Sequence, residues 1–190
     1  WCYLPVVATV TFTDEPMQYA VAAVLRPGNA PAKRGAIGLL RRLMRRLREA
    51  FPQAILRVRL DGGFASNPLF EFLEAEGVEY VVGMASNARL DKRIRRLLGK
   101  ARMRAQATGR TEHLYGETRY AAKKWSHRRR VVMKAEIVRH PGRDPKNNPR
   151  FVVTNLAGAP RTVYEEGRGT GWPRTGSNWS GPSPARDAAP

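Results

Sequence analysis

Cysteine is almost missing from this sequence: Cys2 is the one example in 190 residues. A lone thiol makes no internal disulfide, and with only three scattered histidines it offers no ligand spacing of the zinc type. No apolar run approaches the roughly 18 residues that a membrane-crossing helix requires, and no charged-then-apolar leader opens the chain. Acidic residues are scarce as well, 16 against 34 Lys and Arg, for a formal net charge of +18 and a pI near 11.2. That excess is beyond what solubility needs and favours a polyanionic partner, nucleic acid more commonly than an acidic membrane surface. The expectation is a soluble, cytoplasmic protein with no membrane association.

What is present is enough apolar residue, 42%, to bury the core of one ordinary domain. The charge is uneven. Residues 26–50 carry eight Lys/Arg against one acid and residues 83–150 carry twenty against five, whereas residues 51–82 carry two against five. Residues 4–12 and 17–25 are rich in β-branched types and read as a hairpin. A helix is expected from about Ala32 to Ala50 on the spacing of Ala36, Leu39, Leu40, Leu43, Met44 and Leu47. Pro52 ends it, and a strand follows from Ala54 to Leu60 with Asp61 at its C-terminal end. Asn67 as N-cap before Pro68 starts a short helix over 68–76. Residues 80–84 form the next strand, and Asn87 caps a strongly basic helix reaching about Ala107, where Thr108-Gly109 stops it. Strands are expected at 111–121, 129–139 and 150–155, joined by the basic loop Lys123 to Arg128 and the Pro/Gly-rich loop 141–149. This order indicates an α/β fold with a mixed sheet. From Gly167 on, five Gly, four Pro and three Ser in 24 residues with no apolar period predict a tail, 167–190, that does not pack.

A strand ending in an aspartate and two glycines puts a carboxylate at a sheet's C-terminal edge, where α/β proteins place ligand sites. Asp-Gly is also a common turn pair, so Asp61 equally fits a cap on the turn or on the next helix. The segment Arg57-Val58-Arg59-Leu60-Asp61-Gly62-Gly63-Phe64 resembles the Arg-x-Asp-Ser-Gly-Phe strand-turn motif of the bacterial insertion-sequence DDE transposases called DDE group one. Other segments agree in order. Cys2-Tyr3-Leu4-Pro5 resembles the family's hairpin start, and Leu25-Arg26-Pro27-Gly28-Asn29 its Leu-Arg-Pro-x-Asn loop. Glu76 to Gly83 and Asn87-Ala88-Arg89-Leu90 are similar to its next strand and helix start. Trp125-Ser126, Arg129 to Val132, Lys134-Ala135-Glu136, Asn148 to Leu156 and Tyr164-Glu165 complete a collinear series over residues 1–166.

The resemblance implies an RNase H-like mixed sheet flanked by helices, with an inserted or appended β-rich segment, over residues 1–166. It implies DNA as partner, a homo-oligomer in the intact transposase, and an acidic triad binding two Mg²⁺ (or Mn²⁺) ions that activate the attacking oxygen and stabilise the leaving one. Asp61 would be the second acid, both catalytic and a metal ligand. The sequence departs from the family at the other two. The first aspartate belongs to a strand before Trp1, and Trp1 in place of an initiator methionine suggests that the reading frame begins upstream. The final glutamate belongs to an Arg-Gly-Asp-x-x-x-Glu-Asn-Arg-Ile-Lys stretch after Glu166, where Arg168 to Asn178 instead has the codon content of that stretch read out of frame. A fragment inactive by itself is therefore expected. Glu165 and Glu166 match acids that lie outside the family's triad and read as surface residues.

The cations allow two readings each. Arg41, Arg42, Arg45, Arg46 and Arg48 either meet phosphates or form a solvated helix face, the commoner case. Lys123, Lys124, Arg128, Arg129 and Arg130 around Trp125 are better DNA-binding candidates, since loop cations beside an aromatic bind backbone phosphate and stack on an unpaired base. Trp125 fits a core position equally well. Glu112, Glu117 and Glu136 read as solvent-facing partners for the surplus arginine. The alternative to a transposase fragment is a non-catalytic basic nucleic-acid-binding protein, which has no need of Asp61.

Overall fold

The computed structural model describes residues 3, 5–13, 15, 17–140 and 142–166. The tail expected over 167–190 lies outside the described residues. Two strands, β1 (Val6–Val10) and β2 (Tyr19–Val24), form an antiparallel hairpin that pairs only with itself, with a register shift between Ala8 and Thr9. It leans on the rest of the molecule through Phe12, whose ring meets Tyr19 and, at 5.3 Å between centroids, Phe51 just past the first helix.

That helix, α1 (Ala36–Ala50), begins four residues later than its apolar spacing suggests. Gly35 explains the delay, because its φ of +76° takes the chain into the left-handed region that few residues other than glycine adopt. After it come β3 (Arg57–Leu60), a 3-10 turn (Gly62–Phe64), α2 (Asn67–Ala75), β4 (Glu79–Met84) and α3 (Ala88–Thr108). β5 (Glu112–Tyr120), β6 (Arg129–Val138), β7 (Lys146–Asn147), β8 (Arg150–Thr154) and α4 (Pro160–Glu166) complete the described chain. α3 keeps its expected ends. Asn87 accepts hydrogen bonds from the Arg89 and Leu90 amides, and Gly109 closes the helix at φ +70°.

The main sheet has the order β3-β4-β8-β6-β5, with β7 on β6. β3 and β4 are parallel, whereas β4 with β8, β8 with β6, and β6 with β5 are antiparallel. β3, β4 and β6 therefore run the same way. The β-rich part is joined to the sheet through β8, and its β5–β6 ribbon continues past the end of β4: Met84 is level with Phe151 and Met133, yet pairing reaches Glu112 with Ile137.

Alternation along the strands sends Tyr80, Val82, Val131, Met133, Ala135, Ile137, Phe151 and Val153 to one face. There they pack with Met44 of α1, Leu69, Phe70 and Leu73 of α2, and Leu90, Ile94, Ala101 and Ala105 of α3. The other face, Val81, Val132 and Val152, is covered by Val163 and Tyr164 of α4. This mixed sheet flanked by helices agrees with an RNase H-like fold. Among the described residues no helix is long and apolar enough to cross a membrane.

Candidate functional site

Asp61 leaves β3 at the end of the sheet where β4 and β6 also finish. Its backbone is extended (φ −75°, ψ 175°), and Oδ1 accepts a hydrogen bond from the Gly63 amide at 2.8 Å, which caps the 3-10 turn. The carboxylate is exposed, and among the described residues nothing else bonds to it.

Two glycines, Gly63 and Gly83, shape this turn by allowing close approach. A Cβ on Gly83 of β4 would sit 2.9 Å from the Gly62 nitrogen and 3.3 Å from the Asp61 carbonyl carbon, so the chain folds directly over β4 at this point. A Cβ on Gly63 would lie 2.8 Å from the Ala32 Cβ, which brings the loop before α1 against the same turn. Gly62 and Gly63 stand out beside Asp61 in the sequence. Gly83 escapes notice there as an ordinary strand residue, although a glycine inside a strand is itself a sign of backbone approach.

Buried Arg26 fixes the loop that touches Gly63. Its Nη1 donates to the carbonyl oxygens of Pro31 (3.2 Å) and Ala32 (2.8 Å), so the side chain gathers residues 31–32 beneath the turn. Its Nε is buried with no partner among the described residues. Sequence alone gives no sign of this role, because the side chain bonds only to carbonyls.

The expected DNA-binding loop lies elsewhere. β6 begins at Arg129 and runs parallel to β3, so residues 121–128 enter at the end where β3 and β4 start, opposite Asp61. Its members have different settings. Lys123, Lys124 and Arg128 are exposed. Trp125 is half-buried, edge-on to Phe70 (5.0 Å) and to Tyr120 (5.6 Å), and packs against the core. Arg130 pairs with Glu117 and donates to the Leu156 and Gly158 carbonyls.

Arg129 is 3% exposed. Its Nε and Nη2 donate to the two oxygens of Glu74 (2.7 and 2.8 Å), its Nη1 to Asn67 Oδ1 (3.0 Å), and its plane lies over both Phe70 and Trp125. This guanidinium has no free edge for a phosphate. The same bond corrects the expected cap of α2. Asn67 is the first helical residue and Ser66 the N-cap, because the Asn67 oxygen is taken by Arg129 and by the Ser126 amide.

Burial works against the charged Glu74 carboxylate, but hydrogen bonds from Arg129 and Tyr80 and the charge of Arg129 outweigh it, and its pKa is held below the usual carboxylate value. The contribution is thus complete above the ordinary carboxylate range and is lost as pH falls through the lowered value. Glu136 has the same direction, with burial opposed by the hydrogen bond and charge of Lys134. Of the expected solvent-facing acids, Glu117 is half exposed on Arg130, while Glu136 is largely buried on Lys134 and Asn148. On α1, Arg48 pairs with Glu76 at 2.6 Å, Arg41 lies over Phe72, and Arg42 and Arg46 are exposed. Glu165 bonds to Arg161 and Tyr115, and the side chain of Glu166 lies outside the described residues.

Among the described residues Asp61 by itself is an incomplete donor set for a metal centre. Among the described residues no group of three His, Cys, Asp or Glu side chains is close enough to hold an ion. A hard divalent cation accepts a carboxylate such as Asp61 as one ligand, but one carboxylate does not assemble a two-ion site.

Comparison with known proteins gives one match. A family model described as Transposase DDE domain group 1 matches residues 1–171. No curated protein and no solved structure matches the chain.

Proposed function

Because this chain belongs to the transposase DDE domain group 1 family, we propose that it is the part of a DNA transposase that presents one active-site acid, Asp61, and a cationic surface for DNA. Residues 1–166 carry both in this reading. The carrying observation is the turn after β3: an exposed carboxylate at the sheet edge, on a chain that passes directly over β4 where Gly83 has no side chain.

Asp61 would hold a divalent ion together with further carboxylates, and such ions would supply the charge that phosphoryl transfer needs. Within the described residues Asp61 supplies one ligand to such a set, so the described unit binds DNA and does not cut it. DNA contact runs through exposed Lys123, Lys124 and Arg128, while Trp125, Arg129 and Arg130 set the shape of that loop. On this reading it acts on DNA in the cytoplasm, and its intact form assembles there as a homo-oligomer.

The test is incubation of the chain with supercoiled plasmid and Mg²⁺ or Mn²⁺. DNA should be retarded on a gel without nicking, for the wild type and for Asp61→Asn alike. Nicking by the wild type that Asp61→Asn abolishes would show the chain to be catalytically complete. A second reading, a basic nucleic-acid-binding protein without metal chemistry, draws on the missing acid cluster. It predicts that Asp61→Asn also leaves Mn²⁺ binding unchanged.

A further inference from the structure

Five cations on the sheet and beside α2 have carboxylate partners: Arg48 with Glu76, Arg57 with Glu79, Arg129 with Glu74, Arg130 with Glu117 and Lys134 with Glu136. Those on α3 have none. The helix carries eight Lys/Arg and one acid, Asp91, and Asp91 accepts from the Ser86 hydroxyl. Among the described residues no carboxylate pairs with any of these eight cations. Arg93 bonds only to Thr118 and the Arg119 carbonyl, and Arg102 to Asn147, all neutral.

This unpaired ridge leads to a cleft. α3 lies along the β5–β6 ribbon, Leu97 against Gly116 and Arg93 against Thr118, in the direction of β6. At the far end, a cleft of about 680 Å³ is lined by Arg110, Thr111, Arg139, His140, Arg143 and Asp144, among others. Arg139 is part of the frame: its Nη1 donates to the Ala105 carbonyl and its amide to Thr111 Oγ1. Arg110, His140 and Arg143 are exposed and make no ion pair among the described residues.

We propose that this cleft is a binding site for phosphates of duplex DNA, with the exposed face of α3 as its continuation. The proposal rests on the DNA-binding reading above and gives it a second binding surface, at the end of the sheet that holds Asp61. Three arginines around one cleft supply planar donors matched to phosphate oxygens. The ridge of α3 is about 31 Å long at 1.5 Å per residue, close to one turn of duplex. Such a ridge, with eight cations to one carboxylate, repels itself, and a polyanion relieves that by displacing counterions. An acidic membrane fits less well, because among the cations of the ridge only Met103 offers a large exposed apolar side chain to insert.

The test uses the full chain and a fluorescently labelled duplex, with affinity measured by anisotropy over a range of salt concentration. Arg110→Gln/Arg143→Gln removes two charges from the cleft. Arg42→Gln/Arg46→Gln removes two from the exposed face of α1 and is the control. The cleft pair should flatten the slope of log affinity against log salt by about 1.8, roughly 0.9 for each phosphate that is no longer neutralised, and the control by less than half of that. Equal changes in the two variants would reduce the effect to net charge and overturn the cleft. An unchanged cleft variant beside a wild type that binds would overturn the cleft and leave the DNA reading standing. A wild type that ignores duplex would overturn both, and so would tighter binding to phosphatidylserine vesicles than to duplex.

Discussion

Replacing Arg129 with alanine should lower the unfolding free energy by about 3 kcal/mol at neutral pH, the low end of the usual cost of breaking a buried ion pair. Its side chain is 2% exposed and Glu74's is 27%, so the carboxylate loses its main charged partner where water replaces it only in part, while the Tyr80 hydroxyl stays bonded to it. Asn67 and the aromatic faces of Phe70 and Trp125 are deprived of their shared partner in the same step. The effect depends on pH in a definite direction. In the wild type Glu74 titrates below its ordinary value, so its stabilisation is present at neutral pH and fades in acid. In the variant, burial is no longer opposed by Arg129, and protonation relieves the carboxylate. The gap between the two proteins, read from urea midpoints with an unchanged slope, should narrow as pH falls through the carboxylate range. A neutral-pH loss under about 1 kcal/mol would place Arg129 among ordinary surface ion pairs.

Phe70→Ala should cost a similar amount, about 3–5 kcal/mol, by loss of burial and by the cavity left behind. Phe70 is fully buried, stacks on Tyr80 at 5.6 Å and meets Trp125 edge-on at 5.0 Å. It is also one of the two faces over which Arg129 lies, at 5.1 Å. The two substitutions share partners, so the double variant should lose less than the sum of the singles. Strict additivity, read from the same urea midpoints, would show that the ring and the guanidinium do not depend on each other.

These residues also show what the sequence can and cannot convey. α3 is legible at both ends because its cap and its terminating glycine act on amides and carbonyls next to them in the chain. Asp61 at the end of a strand is legible for the same reason. The strand before it reads too long at its start: β3 begins at Arg57 because its partner strand begins at Glu79, a distant fact. Arg129 reads as one more cation in a basic loop, since its partners Glu74 and Asn67 lie 55 and 62 residues away. α4 escapes the sequence reading because seven residues are too few to show a helical period, and it is held by Val163 and Tyr164 against the sheet. β7, two residues long, exists only as a pairing with β6. Nothing local marks Arg26 as the residue that gathers the loop against the Asp61 turn.

The proposed role of this chain depends on Asp61 being a ligand and more than a cap. Asn at this position keeps an oxygen for the Gly63 amide and removes the charge, so it separates the two roles. The direct measurement is Mn²⁺ titration of the isotopically labelled chain, followed by NMR broadening of backbone amides. Broadening should centre on Gly62, Gly63 and Ala85 in the wild type and vanish in Asp61→Asn, with the rest of the spectrum unchanged. Equal broadening in both proteins, or none near Gly62 in either, would contradict the ligand role and leave Asp61 as the cap of a turn.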